Sequence, residues 1–360
     1  MRKLFPVFLA FLAACIDPLS VNVNRQSAKR LVVDGYILNG TGLNSVKLFY
    51  SNPLTISRPI AFEIVTGALV EIVDDQNNRY DLFEVQPGVY SSSALTGILG
   101  RSYKVVIETP DGQNYESEPE TIEEAGVIDD VSFEVKSPPV NGNGALSIYI
   151  NARGVSGSDN LFRWRWTTIH KVKSHPELHV TPTPGGDRPT PEPCSGYVYR
   201  PAMGGLVQVG DCTCCICWSY NYNDKAFVSR NELVKDNLFS RQFLGEIPVT
   251  AMHFYEKYYL EIQQLSLSQD SYNYWDLVQK QQQGSTNLFQ PNSIKIRGNV
   301  RNVNDPNAEV LGIFSASGAV SKSVYVNISD WPYPLTEPDT IPFSCLDYFK
   351  NPTTNKPLFW

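Results

Sequence analysis

The sequence predicts a mainly β protein: an N-terminal immunoglobulin-like or transthyretin-like β-sandwich, then a larger β-rich domain with one prominent helix. Three observations support this prediction. Short runs of β-branched and aromatic residues alternate with polar turns at the spacing typical of β-sandwiches. The chain contains 19 Tyr, 17 Phe and 25 Pro but only 3 Met, a composition that favours strands and turns. One stretch, at about 268–283, has the apolar side and the end signals of a helix.

The N-terminus has the order of a lipoprotein signal. Two basic residues precede an apolar run over 4–12, and two alanines then lead to Cys15. This order predicts a signal peptide over 1–14, a lipid on the Cys15 thiol, and a tether over 15–30. An ordinary signal peptide with a coincidental cysteine is the alternative. The apolar run is much shorter than the ~20 residues that span a bilayer.

The predicted N-terminal domain, residues 31–122, contains about seven short strands. The segment Asp74–Asn78 is a polar turn of the hairpin type, and Asp111-Gly112 suits a turn with positive φ. An acidic segment from Glu116 to Gly126 marks the predicted domain boundary. The predicted strands are Leu31–Ile37, Val46–Tyr50, Ala68–Val73, Tyr80–Phe83, Val89–Tyr90, Tyr103–Ile107 and a strand at Tyr115.

The predicted second domain, residues 126–360, also alternates with period two. Its helix can be capped by Ser268 and ended by Gly284. The predicted strands of this domain are Val131–Val135, Leu146–Ile150, Leu161–Trp166, Met252–Leu267, Ile294–Ile296, Val310–Phe314 and Val324–Val326.

The sequence LFRWRW stands out in the second domain. In a strand, Phe162, Trp164 and Trp166 share one face. Arg163 and Arg165 then share the opposite face. One interpretation is a core face backed by a solvated face. The other is an aromatic platform, or an arginine site for an anionic ligand.

A Pro-, Gly- and Thr-rich insertion at about 180–217 contains most of the cysteines. Beyond the predicted lipid anchor the chain has six cysteines, and this even number in an exported chain predicts disulfides, of which we expect at least two. Overlapping C-x-x-C spacings also allow a metal site, but the interleaved pairs make one tetrahedral site awkward. The pairing is not readable from the sequence. The cysteines beyond the predicted lipid anchor are Cys194, Cys212, Cys214, Cys215, Cys217 and Cys345.

The sequence contains no recognisable motif for catalysis or cofactor binding. It lacks the G-x-S-x-G elbow and the Gly-rich phosphate loops. HPELH differs from the zinc-protease helix motif because Pro176 occupies the position of the catalytic glutamate. The net charge of −7 argues against a nucleic acid partner. We therefore expect no catalytic residues, no cofactor, no metal and no nucleic acid.

Taken in order, several stretches resemble an outer-membrane lipoprotein family of Bacteroidota named domain of unknown function 4249. That family has no assigned activity. Its genes often lie beside TonB-dependent transporters, so the resemblance implies an accessory role in uptake. Besides the signal, the matching stretches are LVVDG at Leu31–Gly35, TGALVEIVDD at Thr66–Asp75, FRWRW, CCICW at Cys214–Trp218, SIKIRGNV at Ser293–Val300 and VLGIFSAS at Val310–Ser317.

Three functions remain open on these grounds. The first is an outer-membrane lipoprotein facing the cell exterior, which binds a ligand or assists a TonB-dependent barrel. The second is a cell-surface hydrolase of glycan or peptide, and the third is a structural or assembly factor for outer-membrane proteins. For the first function, the insertion and the aromatic strands supply the expected binding surface. Its candidate residues are Arg163, Trp164, Arg165, Trp166, Trp218, Tyr255 and Tyr258.

Overall fold

The computed structural model describes residues 29–40, 44–51, 62–136, 144–223, 225–229, 234, 236–284, 296–331 and 340–360. The predicted signal peptide, Cys15 and nearly all of the predicted tether lie outside these residues. The chain is mainly β, with several sheets and one prominent helix, as predicted.

Among the described residues, nine strands precede residue 122, where about seven were predicted. Within β1, buried residues alternate with exposed or half-buried ones, which is the pattern of a strand with one face in a core. The nine strands are β1 (Arg30–Leu38), β2 (Asn44–Ser51), β3 (Glu63–Ile64), β4 (Leu69–Asp74), β5 (Arg79–Gln86), β6 (Val89–Ser91), β7 (Ser102–Glu108), β8 (Asn114–Ser117) and β9 (Glu120–Thr121).

The second half of the chain is also built mainly of strands. Up to the helix, they are β10 (Val127–Lys136), β11 (Gly144–Arg153), β12 (Phe162–Lys173), β13 (Val180–Thr181), β14 (Arg188–Pro189), β15 (Tyr197–Arg200), β16 (Gly205–Gln208), β17 (Ile216–Tyr222), β18 (Phe227–Val228), β19 (Leu238–Val249) and β20 (Tyr258–Ser266). The remaining elements are α1 (Gln269–Gly284), β21 (Val300–Asn302), β22 (Leu311–Ser317), β23 (Ala319–Val326), α2 (Cys345–Tyr348) and β24 (Pro352–Thr353).

The first sheet combines strands from both halves of the sequence. Its order is β21-β8-β7-β4-β5-β6-β2-β1-β22, with β3 beside β2 and β9 beside β7. β22 lies parallel to β1, with Asp34 opposite Ile313. It also contacts β7 and β9, so the two ends of the sheet meet around a common core that includes Val105 and Phe314. Strands from both sides of the predicted boundary at 116–126 therefore belong to one sheet.

Two further sheets share a second core. One has the order β10-β11-β19, and the other has β23-β20-β12-β17-β24 with β18 beside β12. Ile148 and Leu244 from the first, and Trp164 and Ile262 from the second, are fully buried in one hydrophobic cluster. The inner faces of these two sheets pack against each other, and the outer face of β12 is available for contacts with other parts of the chain.

The prominent helix, α1, begins and ends close to the predicted residues. The backbone N–H of Ser271 donates to the Ser268 hydroxyl over 3.1 Å, so Ser268 caps the helix as predicted. The Ser268 hydroxyl also donates to the buried Glu120 carboxylate over 2.7 Å. Because Glu120 belongs to β9, this contact ties the helix to the first sheet.

The six described cysteines form three disulfides. These are Cys194–Cys214, Cys212–Cys215 and Cys217–Cys345. The first two close the insertion, which contains the hairpins β13-β14 and β15-β16. The third joins β17 to α2 near the C-terminus. The prediction of at least two bridges is confirmed.

One predicted strand is shorter than the alternating pattern suggested. The pattern extended from Met252 to Leu267, but β20 begins only at Tyr258. Residues 251–254 form a single 3-10 turn, because the Thr250 side chain and the His253 ring cap its first turn. The predicted strand at Ile294–Ile296 lies largely outside the described residues.

Candidate functional site

The two arginines of LFRWRW lie on the face of β12 that is turned away from the second core. The opposite residues, Phe162, Trp164 and Trp166, are buried in that core. The strand alternation predicted from the sequence is therefore present, and it places Arg163 and Arg165 side by side on the outer face.

A cavity of about 760 Å³ adjoins these arginines, and we call it the arginine cleft. Residues of β1 and β2 in the first sheet and of β12 and β20 in the second half line it together. The cleft therefore depends on the arrangement of both halves of the chain. Its lining residues are Asp34, Tyr36, Lys47, Gln86, Arg163, Arg165, Trp166, Thr167, Tyr222, Asn223, Glu261, Gln263, Asn351 and Pro352.

Arg163 is held by helix α1. Its guanidinium carbon Cζ lies 3.4 Å from the centre of the Trp275 ring, a cation–π contact. Its Nε atom is buried and has no hydrogen-bond partner among the described residues. Burial, with repulsion from Arg165, lowers the pKa of Arg163 to about 10. The side chain therefore remains a cation at neutral pH, with an unused donor.

Arg165 is oriented by neighbours from two sheets. Its Nε donates to the Gln263 side-chain oxygen over 2.5 Å, and its Cζ lies 4.8 Å from the centre of the Tyr36 ring. Within the described part of the chain, neither Arg163 nor Arg165 forms a salt bridge. Two neighbouring cations without a carboxylate partner are suited to binding an external anion.

Basic residues outnumber acidic residues in the arginine cleft. Of the described residues that line it, three are basic and two, Asp34 and Glu261, are acidic. The Glu261 carboxylate already accepts a hydrogen bond from the Tyr259 hydroxyl over 2.7 Å. The field of Asp34 acts on Arg163 and favours its charged form. The two acids therefore reduce the positive potential of the cleft but form no salt bridge with its arginines.

A second cavity, of about 710 Å³, lies on the inner face of β12, the face opposite the cleft, and we call it the aromatic pocket. The rings of Trp166 and Phe227 form one side, with their centroids 5.0 Å apart. Gly245 lets β19 approach them, because a Cβ atom there would lie 3.0 Å from both rings. The remaining lining residues are Thr168, Asn221, Tyr222, Asn223, Lys225, Phe243, Glu246, Ile247, Pro248, His253, Tyr258 and Gln283.

A histidine pair lies beside the aromatic pocket, which His253 lines. The rings of His170 and His253 have centroids 4.5 Å apart. Burial lowers the pKa of His253 to about 4, and burial together with His253 lowers the pKa of His170 to about 3. The Nδ1 atom of His253 accepts the Thr250 backbone N–H over 3.0 Å, so its neutral ring carries the proton on Nε2. Both rings are therefore uncharged at neutral pH.

Residues 222–223, which we call the strip, lie between the two cavities. Trp166, Tyr222 and Asn223 line both of them. The Asn223 side-chain oxygen accepts the Trp166 backbone N–H over 2.9 Å, and the Asn223 N–H donates to the Trp166 carbonyl over 3.1 Å. These paired bonds fix the strip to β12, whereas the Tyr222 side chain is 63% exposed.

The sequence matches the model of a family described as "Domain of unknown function (DUF4249)" over residues 16–323. The chain belongs to the DUF4249 family. The family resemblance inferred from the sequence is thereby confirmed. No curated protein matches the chain.

Two solved structures show a distant likeness to this DUF4249 chain. One is pullulanase from Anoxybacillus sp. LM18-11 complexed with maltotriose, at 11% identity and a TM-score of 0.16. The other is pullulanase from the same organism, at 11% identity and a TM-score of 0.15. Each alignment covers 53% of this chain and 24% of the pullulanase chain.

The remaining candidate surface residues of the DUF4249 chain are dispersed. Trp164 is fully buried and donates from Nε1 to the Gln264 side chain over 2.7 Å, so it belongs to the core. Trp218 is also buried, in a small cluster with Ile169 and Tyr259. Of the expected surface, only Tyr255 is largely exposed, and it lines neither cavity.

Tyr258 is a special case among these candidates. It is buried, yet it is one of the residues that line the aromatic pocket. Burial raises the pKa of its hydroxyl to about 12, so the ring is neutral at all physiological pH values. Trp164, Trp218 and Tyr258 are therefore buried side chains and do not form an exposed aromatic surface. The arginine interpretation of LFRWRW remains open to test.

Sequence reasoning missed several residues of the two cavities. Asp34 and Tyr36 lie on the outer face of β1. Strand alternation indicates that they face outward, but it does not indicate which residues lie beside them. Trp275 of helix α1 provides the ring beneath Arg163, a contact between residues that are far apart in the sequence. Phe227 and Phe243 lie on separate strands with no shared sequence signal.

The disulfide-linked insertion contains one group with metal-ligand atoms. Among the described residues, Glu192, Cys194 and Cys214 bring such atoms within 4.8 Å of one another. The two sulfur atoms are bonded in a disulfide and so supply no thiolate. Glu192 instead accepts the backbone N–H of Ser344 over 2.9 Å, which joins the insertion to the C-terminal segment. None of the described helices is long and apolar enough to cross a bilayer.

Proposed function

We propose that this DUF4249 chain is a surface-exposed outer-membrane lipoprotein that binds an anionic ligand beside a TonB-dependent transporter. The arginine cleft is the observation that carries the proposal. It presents Arg163 and Arg165 to one cavity, with no salt bridge to either in the described part of the chain. An anion that entered would gain charge-assisted hydrogen bonds without displacing a protein carboxylate.

The N-terminal order supports the proposed location. A lipid on Cys15 would anchor the chain, and the following residues would separate the folded part from the membrane surface. The family resemblance implies a TonB-dependent partner. The lipoprotein would hold ligand close to the mouth of the barrel, where a raised local concentration favours its transfer.

The insertion supplies a candidate contact surface for the barrel. In the hairpin of β15 and β16 and the residues around it, Met203 is 66% exposed and Val209 is 59% exposed. The Cys194–Cys214 bridge closes the loop that contains this hairpin, so docking would require little further ordering of the chain.

The binding part of the proposal is tested with acetate and inorganic phosphate. Calorimetry on the mature lipoprotein in lipid nanodiscs should show that Arg165→Gln lowers the affinity for both anions by about tenfold. Lys171→Gln is the matched control, since Lys171 lies on the same face of β12 but outside the cleft, paired with Glu256. Its affinities should stay within about twofold of the parent protein. If neither anion binds, or both variants lose affinity equally, the cleft is not an anion site.

The accessory part is tested by co-purification. The intact lipoprotein, isolated from detergent-solubilised membranes, should retain a TonB-dependent barrel. Met203→Asp should reduce the amount of barrel recovered, because a charge at a docked apolar position is costly to desolvate. Leu358→Asp is the control, because it adds the same charge at a fully exposed residue near the C-terminus. If no barrel is recovered with the parent protein, the accessory role is wrong.

A further inference from the structure

We infer that the ligand of the arginine cleft is a sugar that carries a carboxylate or a phosphate, with this anion against the arginines and the sugar hydroxyls against the other polar side chains. The inference rests on the proposed anion binding and adds the chemistry of the rest of the ligand. It concerns the arginine cleft alone, which lies on the outer face of β12 and β20.

The arginine cleft opens to solvent between the first sheet and the second half of the chain. Four of its lining residues, Asp34, Lys47, Gln86 and Asn351, are exposed, whereas Arg165 is half-buried. A small molecule can therefore enter from solvent and reach this arginine. The volume of about 760 Å³ lies within the range of small-molecule sites, about 300–1,000 Å³.

An arginine and a carboxylate lie diagonally across two paired strands in the cleft. Arg165 of β12 is opposite Gln263 of β20, and Thr167 is opposite Glu261. Diagonal neighbours on one face of an antiparallel pair are about 7–8 Å apart. Within the described part of the chain, Arg165 and Glu261 form no salt bridge. The space between them suits a ligand that offers an anion to the arginine and a hydrogen-bond donor to the glutamate.

The two carboxylates of the cleft indicate which groups the anion carries. Asp34 and Glu261 only accept hydrogen bonds when ionised, so they repel a bare anion but can bind a hydroxyl group. Neither forms a salt bridge with another described residue. Hydroxyl groups on the ligand would satisfy both carboxylates while its own anion binds the arginines.

Neutral polar side chains complete the lining of the cleft. Gln86 and Thr167 make no side-chain hydrogen bond to another described residue, and the Asn351 amide donates to the Tyr220 carbonyl only over 3.4 Å. A side-chain amide both donates and accepts, as a sugar hydroxyl does. The Tyr222 ring, opposite Thr167 and 63% exposed, offers a flat apolar surface to the C–H groups of a sugar ring.

The charge balance distinguishes this ligand from an amino acid. Three basic residues against two acidic ones give the described lining a net positive charge, which disfavours a ligand that carries a cation. Lys47 lies opposite Asp34 across the β1–β2 pair, and Asp34 also acts on Arg163. An ammonium group beside Asp34 would therefore meet two cations, whereas a hydroxyl group would not be repelled.

Five probes separate the parts of this inference: glucuronate, glucose 6-phosphate, acetate, glucose and alanine. Each is titrated calorimetrically into the mature lipoprotein in nanodiscs, with empty nanodiscs as the blank. Glucuronate should bind about 100-fold more tightly than acetate, because hydrogen bonds from its hydroxyls to the two carboxylates add to the anion contact. Glucose and alanine should each bind at least about tenfold more weakly than glucuronate. The ratio of glucose 6-phosphate to glucuronate affinity distinguishes a phosphate from a carboxylate.

Glu261→Gln tests the contact with the sugar hydroxyls. The ratio of glucuronate affinity to acetate affinity should fall by about tenfold, because glucuronate loses a charged acceptor and acetate loses a repulsive neighbour. A merely unfolded variant would lose both anions. Glu256→Gln is the matched control, since it removes the same charge outside the cleft, where Glu256 pairs with Lys171. It should change the ratio by less than about twofold.

The outcomes separate this inference from the proposed function. If acetate binds as tightly as glucuronate and glucose 6-phosphate, the cleft is an anion site but the sugar ligand is wrong. If alanine binds more tightly than either sugar anion, the cleft takes a zwitterion and the inference is also wrong. An affinity ratio that Glu261→Gln leaves unchanged overturns it as well. If none of the three anions binds, the proposed function fails together with it.

Discussion

The guanidinium of Arg163 lies on the face of the Trp275 ring, with 3.4 Å between Cζ and the ring centre. This contact joins the outer face of β12 to the prominent helix. It positions a cation whose Nε has no partner among the described residues. The helix therefore does more than cover apolar surface: it holds one of the two charges on which the proposed anion site depends.

Replacement of Trp275 by Leu tests this positioning role. Leucine keeps apolar contact with the neighbouring cluster but removes the ring face, a contribution of about 0.5–2 kcal/mol. We expect the affinities for acetate and inorganic phosphate to fall by about three- to tenfold. Trp275→Phe retains a ring and should recover most of that loss. Affinities unchanged in Trp275→Leu would show that the stacking does not support binding.

The histidine pair predicts a pH dependence of stability. The folded-state pKa values of His170 and His253, about 3 and about 4, lie below the ordinary value of 6.5. Between these values the unfolded chain binds more protons than the folded chain, so the pair lowers stability as pH falls below 6.5. The slope approaches about 1.4 kcal/mol per pH unit for each histidine.

Urea unfolding between pH 7 and pH 4.5 measures this slope. His170→Phe removes one of the two groups, and we expect it to remove roughly half of the pair's contribution to the slope of unfolding free energy against pH. His179→Gln, which removes a histidine outside the pair, is the control. A slope that His170→Phe leaves unaltered would mean that His170 is accessible to protons in the folded protein.

The disulfides predict two stability changes of different size. The Cys217–Cys345 bridge spans 128 residues, and the Cys212–Cys215 bridge spans 3. In the chain-entropy model, their removal costs about 5 and about 1.5 kcal/mol, respectively. We expect the double variants Cys217→Ser/Cys345→Ser and Cys212→Ser/Cys215→Ser to follow this order in urea unfolding.

Thiol titration provides an independent check of the same bridges. The denatured, unreduced protein should expose no free thiol from the six described cysteines. Six reactive thiols, or equal losses of stability in the two double variants, would contradict this assignment.

Cys15→Ser tests the lipid anchor. Serine has no thiol to receive the diacylglycerol, so we expect the variant to leave the membrane fraction or to accumulate as precursor. Membrane fractionation with a mass measurement of the N-terminal peptide distinguishes these results. A variant that matures normally and stays membrane-bound would exclude lipidation of Cys15.

Local patterns in the sequence predicted the local structure well. The alternation of LFRWRW separated its arginines from its aromatic residues, and Ser268 and Gly284 marked the ends of the helix. These features depend on residues close together in the chain. Tyr255 lies outside β20, although the aromatic pattern included it, because a capped turn interrupts the strand.

The long-range arrangement could not be read from those patterns. Alternation shows that Asp34 faces outward from β1, but it does not show that β22 lies beside that strand. For the same reason, the sequence paired neither Arg163 with Trp275 nor any cysteine with its partner. Both cavities are formed by such long-range contacts, which is why their residues were only partly predicted.

The most direct test of the central claim is a crystal of the protein soaked in selenate and measured at the selenium absorption edge. The proposal predicts an anomalous selenium peak in the arginine cleft, against Arg165. Selenium peaks elsewhere, with the arginine cleft unoccupied at a saturating concentration of selenate, would contradict it.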